Sequence, residues 1–216
     1  MVYEPDIHHR RSIRLRGYDY SRPGRYYITI CTEDARCLMG EVVLGRMVKN
    51  DAGRMVGRVW ETIPTLLPAA QLDDYMVMPN HCHGIIKIVD VGAPLVGALR
   101  GRRNPRRAED PATQTAAPNR APTRGAPTLG DIVGAFKSIT TDEYIRGVRE
   151  ANWPRFSGRL WQRNFYEHIV RDEDQLEKIR DYIRRNPPMW AIDRYNPNRA
   201  VPVIDEDGRV IPWERS

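Results

Sequence analysis

Two histidines one residue apart open an apolar run that has the composition of a buried strand, Met78-Pro-Asn-His-Cys-His-Gly-Ile-Ile-Lys-Ile-Val89. Side chains alternate between the two faces of a strand, so His81 and His83 are predicted to point the same way, roughly 7 Å apart at the backbone. A divalent cation held between the two imidazoles is the simplest compensation for their desolvation in a buried strand. The run therefore predicts a core strand that carries a metal site on one face.

The remaining patterns predict an α+β domain of ferredoxin-like type. Strand patterns occur at 25–32, in a hairpin within 37–48, and at 71–78, 82–89 and 161–170, while helical spacing begins after Asn50, at Leu129 and after Asp172. This order favours an antiparallel sheet covered by helices on one face. A doubly wound parallel sheet would need regular β-α alternation and a glycine-rich turn, and the sequence has neither.

The domain organisation follows from composition. We expect one domain at 25–192, preceded by a basic arm at 1–24, interrupted by a flexible Arg- and Pro-rich insertion at 91–128, and followed by a tail at 193–216. Of the net charge of +6, most lies in the insertion, which has seven arginines against two acids. The arm forms a second basic cluster. Such segments commonly bind phosphate backbones, although solvation of a loop is the simpler alternative.

Cysteine content and hydropathy predict a cytoplasmic protein. Cys31, Cys37 and Cys82 are an odd number without the spacing of a disulfide framework, and the N-terminus lacks the apolar core of a signal peptide. No apolar run approaches the roughly 20 residues that span a bilayer, so we expect no membrane partner.

The histidine pair has the chemistry of a phosphoryl-transfer site. Two imidazoles and one oxygen donor leave positions on a metal where a phosphate oxygen can be polarised. A tyrosine hydroxyl can then serve as nucleophile and conserve the energy of the cut bond in a phosphotyrosine. Position along the chain favours Tyr182, Tyr166 and Tyr144 among the ten tyrosines but does not choose between them. Tyr182 and Asn186 lie about 40° apart on the margin of the apolar stripe of one helix.

Several blocks of the sequence resemble the REP-associated tyrosine transposases, which belong to the single-tyrosine branch of the HUH nucleases. The resemblance covers residues 10–192, apart from the insertion at 91–128. The matching blocks are Arg10-Arg-Ser-Ile-Arg-Leu-Arg-Gly-Tyr-Asp-Tyr20, Tyr26 to Thr32, Met78 to Gly84, Phe136-Lys-Ser138, and the segment from Trp161 to Asn186. The residue between the histidines is usually apolar in the family. Cys82 stands there in this chain, and buried cysteine behaves as a small hydrophobe.

The resemblance implies a ferredoxin-like transposase domain that cuts and rejoins single-stranded DNA next to a hairpin, through a covalent 5′-phosphotyrosine and with Mg²⁺ or Mn²⁺. By residue match, Tyr182 is the nucleophile, and His81, His83 and Asn186 are metal ligands. The expected DNA contacts are Arg10, Arg11, Arg14 and Arg16 of the arm and Lys137, Arg163 and Asn164 of the matching blocks.

Other interpretations remain open at this point. The same fold could form a catalytically silent protein that binds hairpin DNA, or a metal-dependent phosphoesterase that uses water and tolerates the loss of Tyr182. Candidates for stacking on unpaired bases are Tyr26, Trp161, Phe165 and Tyr166, with core packing as the alternative. We expect a monomer or a homodimer, located in the cytoplasm with the nucleoid.

Overall fold

The computed structural model describes residues 18–90 and 127–199. The strands of this part of the chain are β1 (Gly24–Cys31), β2 (Gly40–Val43), β3 (Arg46–Lys49), β4 (Ala70–Val77), β5 (His81–Ile88) and β6 (Tyr166–Val170). The α-helices are α1 (Asp51–Leu66), α2 (Leu129–Glu150) and α3 (Glu173–Arg185), and short 3-10 turns occupy Glu33–Ala35 and Trp190–Ile192. None of the helices in the described ranges has the length and apolar character needed to cross a membrane.

The central sheet has the strand order β4-β5-β1-β6, and each neighbouring pair is antiparallel. The predicted hairpin forms a separate two-stranded sheet from β2 and β3. Without this hairpin and α3, the chain runs β-α-β-β-α-β, which in this strand order is the ferredoxin-like topology. The predicted α+β fold class is therefore confirmed.

The expectation that helices cover only one face of the sheet is wrong. Helices α1 and α2 pack on the face that contains Tyr26 and Ile28 of β1. Helix α3 packs on the opposite face, against Tyr27 of β1 and Ile85 of β5. Because β1 and β5 are apolar on both sides, each face needs a covering layer.

The predicted helix starts at Asn50 and Asp172 are observed as side-chain caps. Asn50 Oδ1 accepts a hydrogen bond from the Gly53 amide at 2.9 Å, and Asp172 Oδ1 accepts one from the Gln175 amide at 2.8 Å. Such caps each stabilise a helix by about 1 kcal/mol. The strand predicted at 161–170 is shorter in the structure, because only 166–170 pairs along β1 and Trp161 makes an isolated bridge to Thr32.

Gly84 allows Trp60 of α1 to lie directly against β5. A Cβ added at Gly84 would come within 2.3 Å of Trp60 Cζ2. We therefore expect Gly84→Ala to lower the free energy of unfolding by about 1–3 kcal/mol through overpacking, as measured by urea denaturation. Gly134→Ala in α2 is the matched control, since no atom lies within 4 Å of its added Cβ and alanine favours a helix. Equal stability of the two variants would contradict this role of Gly84.

Several predicted features lie outside the described residues. These are the arm up to residue 17 with Arg10, Arg11, Arg14 and Arg16, the insertion from 91 to 126, and the tail from residue 200. Their predicted roles remain predictions.

Candidate active site

The two histidines at the start of β5 lie side by side on the face of the sheet that α3 covers, and their rings face each other. His81 and His83 are both buried, and their Nε2 atoms are 3.0 Å apart. Their cross-strand neighbours on β1 are Cys31 and Thr29. The two imidazoles thus share one face, as the period of the strand requires.

The outer ring nitrogens of both histidines are held by polar side chains. His81 Nδ1 lies 2.8 Å from Asn80 Oδ1, an atom that can only accept, so Nδ1 carries the proton and Nε2 keeps its lone pair. The orientation of the Asn80 amide is fixed because its Nδ2 donates to two backbone carbonyls, those of Ala35 at 2.9 Å and Tyr195 at 2.7 Å. This arrangement is typical of metal-binding histidines, whose second nitrogen is held by an acceptor.

His83 is held in a comparable way by two hydroxyl groups. Its Nδ1 lies 2.8 Å from the Tyr27 hydroxyl and 2.9 Å from Thr29 Oγ1, and its Nε2 points at the partner ring. Either hydroxyl can accept a proton from Nδ1. The sequence pattern had not indicated these two supporting residues, because they belong to a strand that is distant in sequence.

Both imidazoles are neutral at physiological pH. Burial, with a smaller effect of His83, lowers the pKa of His81 well below its ordinary value. Burial also lowers the pKa of His83 to about 3, and Arg194 acts in the same direction. Neutral imidazole is the form that binds metal. The two facing Nε2 atoms, 3.0 Å apart, thus have the donor chemistry to hold one divalent cation.

Asn186, the C-cap of α3, supplies an amide to the same cluster. Its Nδ2 lies 3.2 Å from His83 Nε2, and its Oδ1 is buried without a hydrogen-bond partner among the described residues. The oxygen and nitrogen of an amide can be exchanged by a flip, which would turn this oxygen toward the histidines. In the flipped orientation the amide oxygen would lie beside the imidazole lone pairs, as expected of the third ligand.

Asp193 adds a carboxylate that the sequence analysis missed. One ligand atom from each of Asp193, His81 and His83 lies within 4.8 Å of the others. The side chain is nearly buried, and burial raises the pKa of its carboxyl group. No periodic pattern marks Asp193, which follows a 3-10 turn in the segment assigned to a tail. The Pro187-Pro188 pair after α3 was the available signal for a chain reversal back to the site.

Tyr182 projects from α3 beside the histidine pair. Its ring centroid lies 5.3 Å from that of His83 in an edge-to-face arrangement, and 44% of the residue is exposed. Burial of the phenol, and secondarily the charge of Asp193, raise the pKa of Tyr182 above its ordinary value. The hydroxyl is therefore protonated at neutral pH, and the residue is open to solvent over almost half of its surface.

The other tyrosine candidates differ in position. Tyr144 is buried on the opposite face of the sheet and its hydroxyl donates to the Pro154 carbonyl at 3.0 Å, so a nucleophilic role for it is excluded. Tyr166 is half exposed on β6, with its ring 6.1 Å from that of Tyr27 on the site face. Tyr166 thus remains the alternative to Tyr182.

Two of the four aromatic residues suggested for base stacking belong to the core. Tyr26 and Trp161 are buried, and the Trp161 indole donates to Thr140 Oγ1 at 2.8 Å. The stacking interpretation is wrong for these two residues, since neither ring face can reach a nucleotide. Phe165 and Tyr166 retain partial or substantial exposure.

Lys137 supports the loop that carries the other two expected DNA contacts. Its Nζ donates to the backbone carbonyls of Gln162, Arg163 and Asn164 at 2.8, 3.3 and 3.0 Å. These bonds use the three ammonium protons, while the side chains of Arg163 and Asn164 are exposed. The loop borders the site, because the Gln162 amide donates to the carbonyl of Cys31, the cross-strand partner of His81.

We expect Lys137→Met to lower the free energy of unfolding by about 1–3 kcal/mol, since three carbonyls lose a charged donor. Thermal denaturation would measure the change. Lys178→Met on the exposed side of α3 is the matched control and is expected to leave stability unchanged. Wild-type stability of Lys137→Met would show that water replaces the ammonium group at no cost.

The fold and the site together define an α+β protein of ferredoxin-like topology with a paired-histidine candidate metal site beside a tyrosine. No family model matches the chain. A protein of Haemophilus influenzae (strain ATCC 51907 / DSM 11121 / KW20 / Rd) is 39% identical over 197 residues, which cover 89% of this chain and 96% of the relative. The chain belongs to the same protein family as this relative, which is described only as an uncharacterized protein.

Two solved structures are similar at low sequence identity. One is a REP-associated tyrosine transposase bound to a REP hairpin, with 15% identity and a TM-score of 0.46 over 81% of this chain and 72% of that chain. The other is a candidate transposase from Deinococcus radiodurans R1, with 16% identity and a TM-score of 0.41 over 79% of this chain and 95% of that chain.

Proposed function

We propose that the protein is a transposase-like, site-specific endonuclease and strand transferase for single-stranded DNA. It cuts next to a DNA hairpin and forms a covalent 5′-phosphotyrosine on Tyr182. The observation that supports this most is the position of the half-exposed Tyr182 ring, 5.3 Å from the ring of buried His83. The proposed nucleophile and the candidate metal site thus lie on the same face of the sheet.

His81, His83 and Asn186 are the proposed ligands of Mg²⁺ or Mn²⁺, and Asp193 is close enough to join them. A bound divalent cation supplies Lewis-acid polarisation of a non-bridging phosphate oxygen. The fit rests on the facing Nε2 atoms, on the proton held at His81 Nδ1 by Asn80, and on the orphaned Asn186 oxygen. All four side chains are at most 9% exposed, which limits competition from water.

The proposed covalent step exchanges one phosphodiester bond for another. The Tyr182 oxygen forms a bond to the scissile phosphorus, and the bond from phosphorus to the 3′ oxygen breaks. The phenol proton passes to the Asp193 carboxylate or to water, and the leaving 3′ oxygen takes up a proton to become a 3′-hydroxyl. Attack by a 3′-hydroxyl on the phosphotyrosine reverses the step, so no external energy source is needed for rejoining.

DNA binding is assigned to two groups of residues. Arg163 and Asn164 are exposed on the loop at the margin of the site, where they can reach the phosphates of a bound strand. Phe165 and Tyr166 follow directly and offer rings for unpaired bases. Arg10, Arg11, Arg14 and Arg16 of the arm are proposed to bind the hairpin stem. With this substrate the protein would act in the cytoplasm at the nucleoid, as a monomer or a homodimer.

The test uses purified protein, Mn²⁺ and a single-stranded oligonucleotide that contains a hairpin from the DNA flanking the gene. Because the 5′ phosphate stays on the protein, a 3′ label should migrate with the protein on a denaturing gel, whereas a 5′ label should be released on the shorter fragment. Chelation with EDTA should abolish both signals. Hairpin binding without cleavage would favour the silent binder, and release of both labels without an adduct would favour a phosphoesterase that uses water.

A further inference from the structure

Helix α3, which carries Tyr182, is joined to the sheet by ion pairs. Arg180 forms a bidentate pair with Asp73 of β4, with Nε–Oδ1 and Nη2–Oδ2 distances of 2.9 and 2.6 Å. One turn further on, Arg184 Nε lies 2.7 Å from Asp74 Oδ2. The Asp73 and Arg180 side chains are only 22% and 26% exposed, and their hydrogen bonds lower the pKa of Asp73. A bidentate, partly buried pair fixes geometry better than an exposed one.

A register shift in β4 allows two consecutive aspartates, Asp73 and Asp74, to form ion pairs with the same helix, α3. Leu72 pairs with Ile86 and Tyr75 with Gly84, so both aspartates lie opposite the single residue Ile85. In a regular strand, consecutive side chains would point to opposite faces, and one carboxylate would be directed away from α3. An irregularity of this kind re-aims side chains, and such irregularities are frequent next to active sites.

The two arginines and Tyr182 lie on opposite flanks of α3. The apolar stripe of this helix, formed by Leu176, Ile179 and Ile183, packs on the sheet. At about 100° per residue, Arg180 and Arg184 fall on one side of the stripe, and Tyr182 falls on the other side. The ion pairs therefore resist rotation of α3 about its own axis, which is the motion that moves Tyr182 relative to His83.

Apolar contacts alone constrain the rotation of α3 about its own axis only weakly. In the described part of the chain, the buried cluster beneath α3 consists of Tyr27, Ile85, Val170, Leu176 and Ile183, whereas α1 and α2 share a much larger cluster on the other face. Nonpolar contacts are non-directional, and a small set of them permits small rolls of a helix. The Arg180–Asp73 and Arg184–Asp74 pairs add directional contacts on the flank of α3 that lies opposite Tyr182.

We propose that Asp73 and Asp74 are positioning residues that set the rotation of α3 and hold Tyr182 beside the His81–His83 pair. This inference rests on the proposed nucleophilic role of Tyr182. A roll of about 10° moves a side-chain tip roughly 6 Å from the helix axis by about 1 Å. A misplacement of about 1 Å can cost about 100-fold in the rate of a chemical step.

The first experiment compares Asp73→Asn with Glu177→Gln. Both variants remove an acidic partner of Arg180, but Glu177 lies on α3 itself and cannot locate the helix on the sheet. Asp73→Asn is expected to slow adduct formation at saturating DNA and Mn²⁺ by about 10- to 100-fold, with the Kd for DNA within about twofold of wild type. Glu177→Gln is expected to react at the wild-type rate. The exchanged pair Asp73→Arg with Arg180→Asp should recover part of the loss.

A second measurement does not depend on catalysis. The ring of Tyr182 shifts the imidazole resonances of His83 in the metal-free protein, so NMR of ¹⁵N-labelled histidine reports their relative position. Asp73→Asn should move the His83 signals and Glu177→Gln should not. Unchanged signals in Asp73→Asn, or equal rates for the two variants, would overturn the positioning role. Absence of an adduct in the wild type would instead refute the proposed function, and the NMR comparison would still decide the positioning role.

Discussion

Replacement of Tyr182 by phenylalanine is expected to lower the rate of covalent adduct formation by at least about 1,000-fold, as the loss of a nucleophile does in other enzymes. The substitution removes one oxygen and retains the ring that lies against His83 and Tyr27. We therefore expect hairpin affinity and melting temperature to stay close to those of the wild type. Single-turnover kinetics with 3′-labelled DNA would measure the rate, and filter binding would measure the affinity.

Tyr166→Phe provides the matched control. Tyr166 is exposed to a similar extent as Tyr182 and lies on the same face of the sheet, but it belongs to β6. This variant is expected to form the adduct at a rate near that of the wild type. If Tyr166→Phe abolished the adduct and Tyr182→Phe retained it, the nucleophile would have to be reassigned to β6.

The second large effect is expected at the histidine pair. His83→Gln should weaken Mn²⁺ binding in the absence of DNA by more than about 100-fold, because loss of a supporting outer residue alone costs about 10- to 100-fold at metal sites. Glutamine retains a polar group near the Tyr27 and Thr29 hydroxyls, which limits the cost of leaving them buried and unpaired. Isothermal titration calorimetry or the EPR signal of free Mn²⁺ would measure the affinity.

His168→Gln is the control for the loss of a histidine. His168 lies on β6 opposite Tyr27 of β1, and β1 separates it from the strand that carries the histidine pair. Its replacement is expected to leave the affinity for Mn²⁺ unchanged. If both variants bound Mn²⁺ as tightly as the wild type, His81 and His83 would be buried histidines that serve only in hydrogen bonding. The proposed metal-dependent function would then be refuted.

The parts of the fold that local pattern determines were predicted from the sequence. The apolar period of α1 and the capping side chains of Asn50 and Asp172 depend on residues within a few positions of one another, and these elements were found where expected. The common direction of His81 and His83 follows from the two-residue period of a strand in the same way. The α+β class followed from the order of such elements.

Features that depend on distant contacts were not predicted. The face to which α3 binds depends on both sides of β1 and β5 being apolar, and a short continuous run does not tell which helix will cover which side. The position of Asp193 at the site depends on the path of the chain after Pro187-Pro188, which no periodicity encodes. Core packing of Trp161 was one of two interpretations left open by the sequence, and the packing of α2 decided it, as it did the burial of Tyr144.

The Asn80 amide connects segments of the candidate site that lie far apart in the sequence. It holds His81 Nδ1 and the Ala35 carbonyl, and it also donates to the carbonyl of Tyr195, 115 residues further along the sequence. During synthesis at about 5–20 residues per second, the histidine strand leaves the ribosome several seconds before the segment that carries Asp193 and Tyr195. A nascent chain would therefore have the histidines with Asn80, Tyr27 and Thr29 but without the groups that α3 and the segment after it contribute. The candidate site would therefore be completed only after the segment that follows α3 has been synthesised and has folded against β5.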